Sequence, residues 1–173
     1  MKKITTFLSI AIISLASCQL AVAQPSPLVS NKYSNAEIEK MINLYKSSHS
    51  RDIYPTELFR QQLMKDFPNA RGADWETSAN IYEVDFEIGR TDYKAYYDEQ
   101  ANLLMYIVEI RINELPAIVQ NAAQAKYPNY KFEDMDKIVR GTDVLYEVEM
   151  EKGDIDVKAI FGENGTFVKE IFN

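Results

Sequence analysis

Cysteine and histidine are nearly missing from this chain: its 173 residues include one of each, Cys18 and His49. A lone cysteine excludes an intramolecular disulfide, so stability has to come from packing. It also excludes the cysteine clusters of structural zinc sites. Glycine is scarce at six residues, and none of them form the glycine-rich loop that cradles phosphate. Basic residues are the minority sign, 19 against 26 acidic. Removal of a leader carrying Lys2 and Lys3 leaves 17 − 26 = −9. A field of that sign repels nucleic acid and anionic lipid, and suits basic protein surfaces or divalent cations. Long apolar runs are missing too. Nothing after residue 23 approaches the roughly 18 residues that a membrane span needs, so no transmembrane span is expected.

The first 23 residues read as an export leader. Lys2 and Lys3 form a basic start, Ile4 to Ala16 is apolar, and Ala21-Val22-Ala23 is a small-x-small cleavage site. Leu15-Ala16-Ser17-Cys18 also reads as a lipobox, in which Cys18 is lipidated and becomes the new terminus. Either route takes the protein out of the cytoplasm, to the periplasm or cell envelope. A single lipidated terminus would tether the fold without embedding it. The remaining 150 residues suit one compact domain, which buries about 68–70% of its unfolded surface.

The second half of the chain repeats the first in outline. Residues 81–109 align with 145–173 at a constant offset of 64, with ten identities among 29 pairs, including Tyr82/Tyr146, Glu83/Glu147, Lys94/Lys158 and Ala95/Ala159. A period near 60 residues implies one supersecondary unit used twice. Residues 24–54 read as a flexible lead and one helix. Within them, Ser34 and Glu37 form a capping box, and Ile38, Met41, Ile42 and Tyr45 fall on one helical face. Lys46 to Asp52 reads as a loop. Residues 55–112 and 113–173 then read as two units of one helix and four strands. The first helix has Thr56 as its cap and Phe59, Leu63 and Phe67 as its apolar face. The second uses Leu115, Ile118, Val119 and Ala122, with Pro116 in its first turn. They end alike at Phe67-Pro68-Asn69 and Tyr127-Pro128-Asn129.

The second strands carry a period of two. Tyr82, Val84, Phe86 and Ile88 alternate with Glu83, Asp85 and Glu87; Tyr146, Val148 and Met150 alternate with Glu147, Glu149 and Glu151. The first strands lie near Ala73–Ser78 and Phe132–Arg140, the third carry Tyr93, Ala95 and Tyr97 or Val157, Ala159 and Phe161, and Asn164-Gly165 marks a tight hairpin before the last. The resulting fold class is α+β: tandem αββββ repeats forming an antiparallel sheet of about eight strands, with helices packed on one face, plus an extra N-terminal helix. The other sheet face is expected to be open. Trp75 is expected in the core. Met105 and Tyr106 lie on a strand that is apolar on both sides, which fits either a central position in the sheet or a contact patch.

The paired helix ends (FPN and YPN), the YEV-type second strands and the tandem helix-plus-four-strand order together resemble the PepSY-like family of exported bacterial proteins, also described as beta-lactamase-inhibitor-protein-like. The resemblance covers about residues 55–173. It implies an exported module without catalysis that inhibits or regulates an enzyme by binding it through the open sheet face.

The residues themselves offer little for catalysis. His49 sits in the serine-rich Ser47-Ser48-His49-Ser50, and a Ser-His-Asp arrangement would have to be built around it. No enzyme activity is therefore expected. A partner-binding surface is expected on the polar sheet face: Glu83, Asp85, Glu87, Glu147, Glu149 and Glu151, with Lys94 and Lys158 offsetting the acids and a wet Tyr96 as an aromatic anchor. The partner would be an envelope or secreted protein. The alternative function is a calcium- or small-ligand-binding sensor of the envelope. Calcium is the one cofactor to consider, with Asp98, Glu99 and Asn102 as metal candidates and Glu133-Asp134-Met135-Asp136 as a second acidic stretch; neither matches an EF-hand loop.

Overall fold

The computed structural model of the protein describes residues 27–171. The leader, the Ala23 junction and Cys18 lie outside the described residues. The first element is helix α1, Asn35–Ser47. It starts where the capping box sets it: the Ser34 backbone N–H donates to Glu37 Oε2 at 2.8 Å, and the Glu37 N–H donates to Ser34 Oγ at 3.3 Å. It stops where the Ser47 and Ser48 hydroxyls donate to the Leu44 carbonyl, serine competing with the helical ladder. Ile38, Ile42 and Tyr45 are its buried stripe.

The other elements follow in order: strand β1 (Arg51–Asp52), helix α2 (Glu57–Asp66), strands β2 (Arg71–Ser78), β3 (Ile81–Ile88), β4 (Thr91–Tyr97) and β5 (Leu103–Glu109), helix α3 (Ala117–Lys126), and strands β6 (Lys131–Arg140), β7 (Asp143–Lys152), β8 (Ile155–Gly162) and β9 (Phe167–Ile171). The strands form one sheet in sequential order, every neighbouring pair antiparallel. β5 is the middle strand, which is why Met105 and Tyr106, on its two faces, are both buried. The Asn164-Gly165 turn joins β8 to β9. Gly165 has φ +79°, and a Cβ there would sit 2.9 Å from the Ile118 carbonyl oxygen. The turn against α3 therefore requires glycine.

Register assigns the faces. Val84 stands opposite Ala95, Ala95 opposite Tyr106, and Tyr106 opposite Val139. α2 covers this side with Phe59, Leu63 and Phe67; Trp75 is buried there, edge-on to Phe59 at 5.7 Å. Leu115, just before α3, together with Val119, Ala123 and Tyr127, covers the same side over β6 to β8. Ile118, expected on that apolar face, is 53% exposed because Val119 and Ala123 take the inward positions. The opposite side carries the row Glu83, Tyr96, Met105 and Arg140. There α1 packs Ile38, Ile42 and Tyr45 against Ile81, Tyr96, Leu104, Met105 and Ile138.

This architecture corrects the expected one. The sheet is a single nine-stranded one, not about eight strands in two αββββ units, and it runs unbroken through β5 and β6. α2 and α3 share one face, and α1 lies on the other, which was expected to be open. The core beneath α1 draws on β3, β4, β5 and β6 and so straddles the place where two units would have met. The physical reason is cover. α2 and α3 occupy one side, and the apolar stripe of α1 finds Tyr96, Met105 and Ile138 on the other. The extra strand β1 is two residues long, in a polar stretch with no alternation to announce it; the next N–H, of Ile53, donates to the Trp75 carbonyl at 2.9 Å.

Candidate functional site

The acidic stripes and their lysines lie on the α1 side of the sheet. On β3 and β4, Lys94 stands opposite Asp85, and its ammonium lies 2.9 Å from Glu83 and 3.3 Å from Asp85. On β7 and β8, Lys158 stands opposite Glu149, 2.8 Å from Glu149 and 3.4 Å from Glu147. Burial works against the Lys94 charge, but the hydrogen bond and field of Glu83 and the field of Asp85 outweigh it and raise its pKa. The hydrogen bond that Lys158 donates to Glu149 leads the rise of its pKa.

The two clusters differ in cover. Tyr96, expected to be wet, is 1% exposed: the Tyr45 ring of α1 sits edge-on to it at 5.7 Å. Its hydroxyl is raised in pKa by burial and then by its hydrogen bond to Glu83. Glu83, expected on a solvated stripe, is buried as well, at 6% exposed. The alternation assigned both residues to the correct side of the sheet; what it lacked was the helix lying on that side. Neither can anchor a partner without α1 leaving. Asp85 and Glu87 are exposed, and Lys94, Glu147, Glu149, Glu151 and Lys158 are partly exposed.

Past Lys46, in the last turn of α1, the same side of the sheet is uncovered and concave. A hollow of about 580 Å³ is lined by eight carboxylates and three lysines, a balance of 3 − 8 = −5. It takes in Asp85, Lys94, Glu147, Glu149 and Lys158, whereas Glu87 and Glu151 do not line it. It also takes in residues that the stripes did not announce: Asp92, Glu109, Asp134 and Asp136. Glu109 stands directly opposite Asp136, and Asp136 directly opposite Glu147, so three carboxylates line up across β5, β6 and β7. Burial, then Glu147, with further contributions from Glu109 and Asp134, outweighs the opposing Lys158 and pushes the Asp136 carboxyl up to about 6. The signal was available in part: Asp134 and Asp136 flank the core residue Met135, so they share the other face.

The calcium candidates serve the β4–β5 turn. Asp98 Oδ1 accepts from the Gln100 and Asn102 backbone N–H groups at 2.9 Å, and Oδ2 accepts from Lys32 Nζ at 3.0 Å and the Tyr33 hydroxyl at 3.2 Å. Burial would raise this carboxyl, but the Asn102, Lys32 and Gln100 hydrogen bonds hold it below its ordinary value. Glu99 is exposed beside it. Among the described residues, no three His, Cys, Asp or Glu side chains are grouped to hold a metal. His49 is exposed; the neighbouring Ser47 and Ser48 hydroxyls bond the α1 backbone, and Ser50 Oγ donates to Glu76.

Several solved structures share this fold. A BLIP-like protein from Bacteroides fragilis is 25% identical, with a TM-score of 0.60 over 73% of this chain and 89% of that one. A DUF2874 family protein from Bacteroides uniformis is 21% identical, with a TM-score of 0.62 over 68% and 89%. A Bacteroides eggerthii protein given a provisional periplasmic description is 18% identical, with a TM-score of 0.63 over 69% and 89%. No protein-family model matches the chain, and no curated protein sequence does. The likeness to BLIP-like structures agrees with the resemblance drawn from the helix ends and second strands; none of these three carries the PepSY-like name. No helix among the described residues is long and apolar enough to cross a membrane.

Proposed function

We propose that this protein is an exported, non-catalytic binding module of the periplasm or cell envelope. It engages a partner protein, as an inhibitor or regulator, through the uncovered part of its α1-side sheet face. One observation carries the reading: that face is divided, part closed by α1 and part left as an open acidic hollow, two of whose three lysines, Lys94 and Lys158, are already paired with carboxylates. The −9 balance of the processed chain favours a basic counterpart. The leader supports export, and fold relatives described as BLIP-like and as provisionally periplasmic support a binding role in that compartment. The processed N-terminus is either residue 24 or a lipidated Cys18, and intact-mass measurement of the native protein distinguishes them.

The test is capture from cell-envelope extract by the wild-type protein and by a double charge reversal, Asp85→Lys with Glu149→Lys. Both side chains reach solvent, at 56% and 23% exposure, but each faces a lysine, so thermal unfolding of the variant is read alongside capture to show that the fold is retained. Specific capture should be lost in the variant. Equal capture by both would remove this face from consideration.

A further inference from the structure

The apolar surface beneath α1 extends past the helix. Met105 and Ile138 are buried under it, and Ile107 and Leu145 are half-buried at its margin. Beyond them, Ile160, Val168 and Ile171 continue the surface across β8 and β9 and floor a groove of about 150 Å³. One wall is α1, through Glu39, Asn43 and Lys46, which share a helical face at i, i+4 and i+7. The groove therefore runs beside about two turns, roughly 10 Å, of that helix. Its ends differ. At one, Glu39 lies 3.1 Å from Arg140 and 3.7 Å from Lys169, which ties α1 to β6 and β9. At the other, Lys46, Ile107 and Glu147 line both the groove and the acidic hollow, so the two depressions form one continuous surface. Val168 is 50% exposed: it falls at the register shift between the Ile160–Lys169 and Phe161–Phe167 pairs, on the last strand of the sheet.

We infer, resting on the binding face proposed above, that the groove seats one large apolar side chain of an amphipathic helix from a basic partner protein, a helix that lies beside α1 and carries its lysines or arginines over the adjoining hollow. The volume suits this occupant. It holds about one benzene-sized group and falls short of the roughly 300 Å³ at which small-molecule sites begin, so it fits a side-chain anchor and not a whole ligand. The charge suits it as well. The groove opens into a hollow of net charge −5 (3 − 8), which attracts a cation beside the apolar side chain and repels an anion. A second copy of this chain would bring −9 of the same sign. A strand added to the free edge of β9 would meet Lys169 and Glu170 near its middle, and charged residues there discourage edge pairing. A helix bonds its own backbone and needs only an apolar seat, as α1 does with Ile38 and Ile42 on the same sheet face. The groove thus fixes where the helix lies, and the hollow adds attraction around it.

The probe is a leucine–lysine peptide of about 18 residues with its leucines on one helical face, long enough to hold a helix. One control has the same composition in an order that leaves no apolar face; a second replaces each lysine with glutamate. Each is titrated against the processed protein by fluorescence anisotropy at pH 7.5 in about 0.15 M salt, where exposed charges are screened beyond about 8 Å. Val168→Asn, which leaves the net charge unchanged, should weaken binding of the amphipathic peptide about fivefold, and Val168→Leu should leave it within about twofold. Ile155→Asn alters an apolar side chain that is 59% exposed and outside the groove, and should also change it less than about twofold. The reordered peptide should not distinguish wild type from Val168→Asn, and the glutamate peptide should not bind. Undiminished binding in Val168→Asn, equal weakening by Ile155→Asn, or equal sensitivity of the reordered peptide overturns the inference. So does a dimer of the unliganded protein that Val168→Asn dissociates, which would put a second copy in the groove. So does a thermal shift with octanoate that Val168→Asn abolishes, which would assign the groove to a small amphiphile. If the peptide ignores Val168 while envelope capture still depends on Asp85 and Glu149, the face stands and the groove falls. If capture is indifferent as well, both fall. Thermal unfolding of each variant shows that the fold is retained.

Discussion

The Lys94 and Lys158 clusters are built alike and finished differently. Each lysine reaches two carboxylates of the neighbouring strand, and each stands opposite the second of them. In the first, α1 closes over Glu83 and Tyr96, leaving both nearly dry, while Asp85 stays 56% exposed. Over the second nothing closes, and Glu147 and Glu149 keep about a fifth of their side-chain surface in water, at 20% and 23%. One local pattern therefore does two jobs. Under a helix it is part of the core and constrains the fold. In the open it is a surface whose charge is available to another molecule.

The sharpest way to break this comparison is to truncate the matching residues Tyr96 and Ile160, which stand opposite Glu83 and Glu147. Tyr96 is 1% exposed and packed on Tyr45, so Tyr96→Ala should cost about 3–5 kcal/mol in denaturant unfolding. Ile160 is 7% exposed and lines a groove alongside α1 but is outside the core beneath it, so Ile160→Ala should cost about 2 kcal/mol. Equal costs would mean that α1 adds nothing to the first cluster.

The lysines give the next contrast. Lys94→Met strands Glu83 in a dry site and should destabilise by about 2–3 kcal/mol, since a buried charge without its partner keeps its desolvation penalty. Lys158→Met leaves two carboxylates that keep about a fifth of their surface in water and should cost about 1 kcal/mol. Thermal unfolding of the two variants side by side reads the difference. A larger loss at Lys158 would reverse the assignment of the covered and open clusters.

Much of this was legible before any coordinates. Ser34 and Glu37 announced the start of α1, and Ile38, Ile42 and Tyr45 announced its buried stripe. Alternation on β3 and β7 gave the strands and their faces, and the offset of 64 put Lys94 and Lys158 at like points. The side on which α1 lies was not legible. Its contacts with Tyr96 and Ile138 join residues about fifty to a hundred positions apart, and a local period carries no such information. The same blindness hid the charge row. Asp136 sits in a charged stretch, Glu133 to Lys137, that by itself reads as loop or surface; only pairing with Glu109 and Glu147 makes it a member of a line of like charges. The strand β1 is too short to carry any period.

The smallest expected effect tests the open half most directly. Asp136 ordinarily titrates near 3.8 and is pushed up to about 6 in the folded protein, by burial and then by Glu147. The folded state thus holds this proton more tightly than the unfolded chain does. Its stability contribution is fully present below pH 3.8 and is lost as the pH rises through about 6. At neutral pH the ionised carboxylate is a net liability, so Asp136→Asn should stabilise the protein by about 1 kcal/mol at pH 7.5, after allowing for solvent screening. The gain should fade below pH 6 and vanish below about pH 4, as the wild-type carboxyl takes up its proton. Lys158, on β8, opposes the shift, so Lys158→Met should move the Asp136 midpoint further upward, which a carboxyl NMR titration reads directly. A stabilisation of Asp136→Asn that stays constant from pH 4 to 7.5 would mean that its carboxylate is not strained by its neighbours. The open half of the sheet would then hold no unmet charge for a partner to satisfy.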